Sequence, residues 1–306
     1  MVETSEVTER EIVMWAILGG HGQLGCSFHD VLTSAGIPFK IFSRAEADIT
    51  DRDGLIQVLT SQQLTVIVNC AAWTAVDNAE DFKSEAFAIN ADGTRNVAIA
   101  ARTIGARLVH ISTDYVFPGD EVGARAEGAP TGPSSVYGAS KLAGEEAVLS
   151  EYSTNSLIVR TAWLYSKYGG NFVKTMVRKA LTSSEVRVVN DQHGQPTLAT
   201  DLAQHVVELV QHNEAQGIFH GTNSGDTTWY DLTRAIYEML GVSTSLVSPV
   251  DSSAYPTKAR RPRNSVLGHQ RTLSLGIPEM RTWWEALSAS LPEISDLLKK
   301  ELSHES

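Results

Sequence analysis

Two side chains set four residues apart, Tyr137 and Lys141 in V-Y-G-A-S-K-L, carry the clearest chemical potential in this sequence. On a helix, positions i and i+4 share one face, so the phenol and the ammonium meet the same surroundings. A free phenol ionises near pH ~10, and a neighbouring ammonium that favours phenolate brings it into the range of acid–base work. The same pair also occurs on ordinary exposed helices, so its meaning depends on what surrounds it. Upstream, S-T-D-Y-V-F places the Thr113 hydroxyl at the end of an apolar run, with Asp114 and Tyr115 beside it. A hydroxyl there can polarise a carbonyl; alternatively, the stretch is a strand-end turn in which Asp114 bonds its own backbone.

Gly19, Gly22 and Gly25 form G-x-x-G-x-x-G, with Gly20 adding freedom, directly after an apolar strand and before a helical pattern. Such a turn needs positive φ and no Cβ so that backbone N–H groups at a helix N-terminus can approach a pyrophosphate. Its position at the start of a strand–helix–strand unit marks a dinucleotide loop. At the end of the second strand, where a ribose-binding acid would favour NAD, stand Ser43 and Arg44. Arg44 can pair with a 2′-phosphate or simply be a solvated surface residue. Asp48 and Ile49 can reach an adenine, and Asp48 can equally cap the next helix.

These residues need a scaffold, and the pattern supplies one. Apolar runs at Val13–Gly20, Pro38–Ser43, Thr65–Ala72, Arg107–Thr113 and Ser156–Trp163 alternate with helical stretches, including one from Ser135 to Tyr152. Continuous Val/Ile/Leu runs describe parallel strands covered on both faces, and the alternation predicts an α/β, doubly wound, Rossmann-like sheet. The expected organisation is a disordered lead-in over residues 1–12 and a dinucleotide-binding domain over 13–163, with part of 186–222 returning to it. A smaller α/β substrate lobe is expected over 164–306, covering the carboxyl ends of the strands. Within it the sequence predicts a helix from Asn171, a strand at V-R-V-V-N and a helix at W-Y-D-L-T-R-A-I-Y-E-M-L-G.

The chain has 306 residues, 42% of them hydrophobic, enough for a substantial core. A formal charge of -11 excludes a protein that coats nucleic acid or anionic membrane, both of which need a basic footprint. The two cysteines, Cys26 and Cys70, lack the spacing of a zinc site and read as buried thiols in a reducing compartment. No apolar run is long enough to span a membrane, and the acidic, polar N-terminus is not a targeting signal, so a cytoplasmic location is expected.

The glycine loop, the Tyr-x-x-x-Lys pair and the upstream Thr together resemble the extended short-chain dehydrogenase/reductase superfamily. More narrowly, the chain is similar to the dTDP-4-dehydrorhamnose reductase family. The similarity runs through GGHGQLG, NCAAWTAVDNAE, ISTDYVF, VYGASKLAGE, RTAWLY, NFVKTM, DQHGQPT, TTWYDL and AYPTKARRPRNS, in family order from Gly19 to Ser265. The resemblance implies reduction, by NADPH or NADH, of the C4 ketone of dTDP-4-dehydro-6-deoxy-L-mannose to dTDP-L-rhamnose, a cell-wall sugar precursor. It implies that Tyr137 gives the proton, Thr113 steadies charge on the ketone oxygen, and Lys141 supports both Tyr137 and the cofactor ribose. It also implies that Gly22, Gln23 and Leu24 line the pyrophosphate, with Ala71, Ala72 and Thr74 along the dinucleotide. Val76, Thr113, Asp114 and Trp163 would meet the sugar, Trp163 by packing an indole face on the deoxysugar. Arg260, Arg261 and Arg263 are candidates to neutralise the nucleotide diphosphate or are loop-surface residues. Family members can form homodimers with Mg2+ at the contact, through glutamates that the sequence does not locate. A related epimerase or dehydratase, and a non-catalytic NADP-binding regulatory subunit, are the alternatives.

Overall fold

The computed structural model describes residues 14–305, so the lead-in expected over residues 1–12 lies outside the described residues. The first half of the chain alternates strands and helices: β1 (Trp15–Leu18), α1 (Gln23–Ser34), β2 (Phe39–Phe42), α2 (Arg52–Thr60), β3 (Val66–Asn69), α3 (Val76–Asp81), α4 (Lys83–Phe87), α5 (Thr94–Ile104), β4 (Arg107–Thr113), α6 (Val136–Tyr152) and β5 (Ser156–Thr161). There follow β6 (Leu164–Tyr165), α7 (Phe172–Leu181), β7 (Val186–Val189), β8 (His193–Gly194), β9 (Thr197–Leu198), α8 (Ala199–Gln211), β10 (Gly217–His220), β11 (Thr227–Thr228), α9 (Trp229–Met239), β12 (Val247–Val250), α10 (Gln270–Ser274) and α11 (Trp283–Glu305).

Six strands form one all-parallel sheet in the order β10-β5-β4-β3-β1-β2. Its residues are apolar on both faces because both faces are covered. Trp15, Ile17 and Val68 pack with α1 and α8 on one side; Ala16, Leu18 and Ile67 pack with α2, α5 and α6 on the other. Strand order reverses between β1 and β3, which opens a crevice beyond their carboxyl ends. A separate core of Tyr165, Val177, Ile236, Tyr237, Leu287 and Leu298 binds α7, α9 and α11 to the parallel β7–β12 pair. The sheet is completed late: β10 enters after α8, pairing Gly217 with Leu157 of β5.

The strands are shorter than the apolar runs that predict them, and the difference builds the site. β3 stops at Asn69 because the Asn69 side chain takes the Ala71 N–H, at 3.2 Å, out of the ladder. β5 stops at Thr161, and Trp163 adopts a left-handed φ of 45° that no strand accommodates. Between α4 and α5 the chain passes through a π-helical turn, Ala88–Gly93, which buries Asn90 against Trp73 and Ser140. Such turns concentrate at functional sites. Among the described residues no helix is long and apolar enough to cross a membrane.

Candidate active site

One cleft of about 690 Å³ runs across the carboxyl ends of the strands. At one end lies the turn from β1 to α1. Gly19 sits at φ 71°, and a Cβ there would lie 2.7 Å from the backbone N of Ala71. A Cβ on Gly25 would lie 2.4 Å from Gly20, so α1 packs onto the turn only without one. No side chain caps the N-terminus of α1, and its first turn carries no acidic residue. Its leading N–H groups therefore face the cleft as donors with the positive end of the helix dipole behind them, which fits a pyrophosphate.

Gly19, Gly22, Gln23, Leu24, Gly25, Arg44, Asp48, Ile49, Ala71, Ala72, Thr74 and Val76 all line this cleft. Ser43 does not: its N–H and hydroxyl are both taken by Glu46, at 2.8 and 2.7 Å. Arg44 is exposed and pairs with Asp48 at 3.1 Å. Asp48 does not cap the next helix: it accepts from Thr50 N and Oγ1, and Asp51 is the cap, accepting from Gly54 N. Those Thr50 bonds, helped by Arg44, hold the Asp48 carboxyl below its ordinary range.

At the other end, β4 and α6 bring Thr113, Asp114, Tyr137 and Lys141 to the same wall, opposite Trp163. The cap of α6 is Ser135, whose hydroxyl accepts from Gly138 N at 3.1 Å, while Glu80 takes Val136 N at 2.8 Å. Gly138 is required there, since a Cβ would lie 2.2 Å from Tyr115 O. Thr113 Oγ1 donates to Asp114 Oδ1 at 2.8 Å and accepts from Tyr115 N at 3.2 Å. The Tyr115 and Tyr137 rings meet edge to face at 5.5 Å.

The electrostatics differ from the expectation that the Lys141 ammonium draws Tyr137 toward phenolate. Burial raises the Tyr137 phenol well above its ordinary value, the Asp114 carboxylate adds to that, and the Thr113 hydroxyl opposes it. Lys141 Nζ is instead engaged by Ile111 O at 2.7 Å and faces His110 Nε2 at 3.3 Å. Burial pulls Lys141 down to about 8, against the opposing influence of Glu145 and Cys70. Asp114 is pushed up to about 6 by burial, with the Thr113 hydroxyl opposing. Tyr137 is thus an acid that keeps its proton until a stronger base arrives.

Trp163 does not offer both indole faces to the cleft. It stacks on Trp229 at 3.5 Å and 8°, and Phe172 supports Trp229 at 4.5 Å. Beyond Asp77, a second depression of about 550 Å³ is rimmed by Arg260, Arg261 and Arg263. Arg260 pairs there with Asp120 and Arg261 with Asp77, both at 2.6 Å, while Arg261 Nη1 is buried with no hydrogen-bond partner among the described residues. Cys26 and Cys70 are half-exposed as residues, and Cys70 lines the cleft with its thiol withdrawn from solvent. Among the described residues no three His, Cys, Asp or Glu side chains gather into a metal-binding group.

Several contributors were missed from sequence. Trp229, Phe172 and Ile89 line the cleft from elements whose register is not readable in advance. Beneath α6, Arg160 grips Glu145 through Nε and Nη2 at 2.8 and 2.6 Å, and Ser112 donates to Glu145 at 2.5 Å; both charged side chains are 2% exposed. The signal was a lone Arg inside the apolar strand S-L-I-V-R-T, which demands a buried acid.

Comparison with known proteins agrees with this geometry. Residues 13–295 match the family described as the RmlD substrate binding domain. The chain is 43% identical to a dTDP-4-keto-6-deoxy-D-glucose reductase of Streptomyces niveus, over 91% of this chain and 96% of that one. It is 42% identical to a dTDP-4-dehydrorhamnose reductase of Streptomyces griseus, covering 92% and 93% respectively. Among solved structures, a dTDP-4-dehydrorhamnose reductase of Bacillus anthracis in complex with NADP superposes with a TM-score of 0.88 at 37% identity, covering 92% of this chain and 99% of that one.

Proposed function

Because the chain belongs to the RmlD substrate binding domain family, we propose that it is an NADPH-dependent oxidoreductase that reduces the C4 ketone of dTDP-4-dehydro-6-deoxy-L-mannose to dTDP-L-rhamnose. The observation that carries this reading is one continuous cleft with uncapped helix N–H groups at one end and Thr113, Tyr137 and Lys141 at the other. When bound, the nicotinamide supplies the hydride. The N-terminus of α1 holds the pyrophosphate, and Arg44, exposed at the cleft rim, exchanges Asp48 for a 2′-phosphate. Lys141 gives an N–H to the nicotinamide ribose.

Thr113 Oγ1, turning its proton away from Asp114, and Tyr137 Oη converge on the ketone oxygen. As negative charge develops there, that oxygen becomes a stronger base than phenolate, and Tyr137 transfers its proton. The raised affinity of Tyr137 for its proton keeps it loaded but makes it a weaker acid, so the transfer depends on the charge that develops on the ketone oxygen. Trp163, its far side fixed by Trp229, presents its remaining surface to the deoxysugar. Arg261, with one buried donor unsatisfied, takes the nucleotide diphosphate.

The test is NADPH oxidation with the L-series 4-keto sugar, compared with NADH and with UDP-linked and D-series 4-keto sugars. One NADPH consumed per rhamnose formed is expected, and Tyr137→Phe should lower kcat by roughly two to four orders of magnitude while sparing NADPH binding. The relative named for the D-glucose series favours a second reading, in which the D-series ketone is preferred. Turnover without net NADPH loss would replace the reductase with an epimerase.

A further inference from the structure

The residues behind Lys141 fix what its Nζ meets. Asn69 at the end of β3, His110 in β4 and Lys141 on α6 are buried, at 1%, 0% and 2% exposure. Ala71 N donates to Asn69 Oδ1 at 3.2 Å, which sets the orientation of the amide. Asn69 Nδ2 then faces His110 Nδ1 at 3.3 Å, and because an amide nitrogen only donates, Nδ1 is the accepting nitrogen. The neutral imidazole therefore carries its proton on Nε2, 3.3 Å from Lys141 Nζ. Turning the amide over sets its NH2 against the Ala71 N–H, and an imidazolium sets a second proton against Asn69; both leave buried donors facing each other.

We propose that Asn69 and His110 are positioning residues that present an N–H, rather than a lone pair, to Lys141 Nζ, so that each protonation of the lysine breaks a buried donor–acceptor pairing. As the amine, Nζ accepts from His110, donates one N–H to Ile111 O and keeps one for the cleft. As the ammonium, its third proton has no acceptor among the described residues. The other groups around Lys141 leave this balance in place. The Cys70 thiol after β3 is held neutral by burial, and Tyr137, one turn back, keeps its proton. Glu145, one turn on, favours the ammonium but is committed to Arg160 of β5 and Ser112 of β4. The lysine therefore gains and loses its proton near working pH, as burial alone also favours.

This inference rests on the role given to Lys141 above, and its first test reads no turnover. In the full chain labelled with 15N-histidine, long-range 1H–15N correlation identifies the protonated nitrogen of each imidazole. His110 is assigned by its absence in His110→Gln or, if that variant does not fold, by the resonance that Lys141→Met perturbs. In alkaline buffer, above the ionisation of the lysine, the proton is expected on Nε2. Lowering the pH should move the His110 nitrogens through a titration that Lys141→Met abolishes. A proton on Nδ1, or nitrogens indifferent to that titration, overturns the proposal whether or not the enzyme reduces the sugar. A second readout is the pH profile of kcat/KM. His110→Gln can turn its oxygen to Nζ and accept the third proton, so the lysine ionisation should rise by about one pH unit. A profile that superposes on the parent counts against it.

Discussion

Gly194 shows how tightly single residues are specified around the sugar end of the cleft. A Cβ there would lie 2.4 Å from Cε2 of Trp163, and the ring cannot retreat because Trp229 is stacked on it at 3.5 Å. Gly194→Ala should therefore overpack this corner, costing about 1–3 kcal/mol in chemical denaturation, and raise KM for the sugar while the Kd for NADPH holds. A parallel rise in both constants would place the damage outside the sugar end. At this scale the sequence was legible where residue type and spacing define chemistry: Tyr137, Lys141, Thr113, Gly19, Gly22 and Gly25 all border the cleft. It was silent on Asn69 and His110, each a single polar residue in an apolar run, whose partners lie 41 and 31 positions away. Ser43 does not line the cleft, and Glu46 claims both of its donors.

At the scale of elements, α6 is the part that must not move, because it carries both Tyr137 and Lys141. It is fixed at its start by Ser135 and Glu80, and in its middle by the Glu145–Arg160 pair, which ties it to β4 and β5. Replacing one partner strands the other charge in a dry interior. Glu145→Gln should cost roughly 3–5 kcal/mol by denaturant titration, whereas replacing Glu145 and Arg160 together by apolar residues should recover much of that loss. Recovery of nothing would show that the pair's bonds to Ser112 and, from Arg160 Nη1 at 3.2 Å, to Glu127 O matter more than its charge balance. Strands and helices were readable from periodicity, since runs of Val, Ile and Leu leave few alternatives. Their ends were not, because Asn69 and Trp163 terminate β3 and β5 by side-chain bonding and backbone geometry rather than by a breaker residue.

For the molecule as a whole, the acidic cleft wall predicts how stability varies with pH. Asp114 lies between the sheet and the lobe, is 4% exposed, and is pushed up from 3.8 to about 6. The folded state thus holds a proton that the unfolded chain has already lost, so stability falls as pH rises from about 4 through about 6 and then levels. Asp114→Asn should match the parent in acid and be more stable by about 3 kcal/mol above neutrality, read from denaturation midpoints across pH. Equal stability at all pH values would mean that solvent reaches Asp114 and relieves its burial. The doubly wound architecture was legible in outline from strand–helix alternation. The route of the chain was legible only coarsely: part of 186–222 was expected to return to the dinucleotide-binding domain, but the sequence does not say that Gly217–His220 is the strand that pairs beside β5.

That late strand has a consequence for how the protein is made. A ribosome delivers β1 to β5 well before His220, so the nascent sheet waits with β5 as a bare edge of unpaired N–H and C=O groups. During that interval the half-built chain is adhesive, and a neighbour on the same message carries a matching edge. Translation speed across the lobe and early chaperone contact therefore bear on how much of the chain reaches the completed sheet.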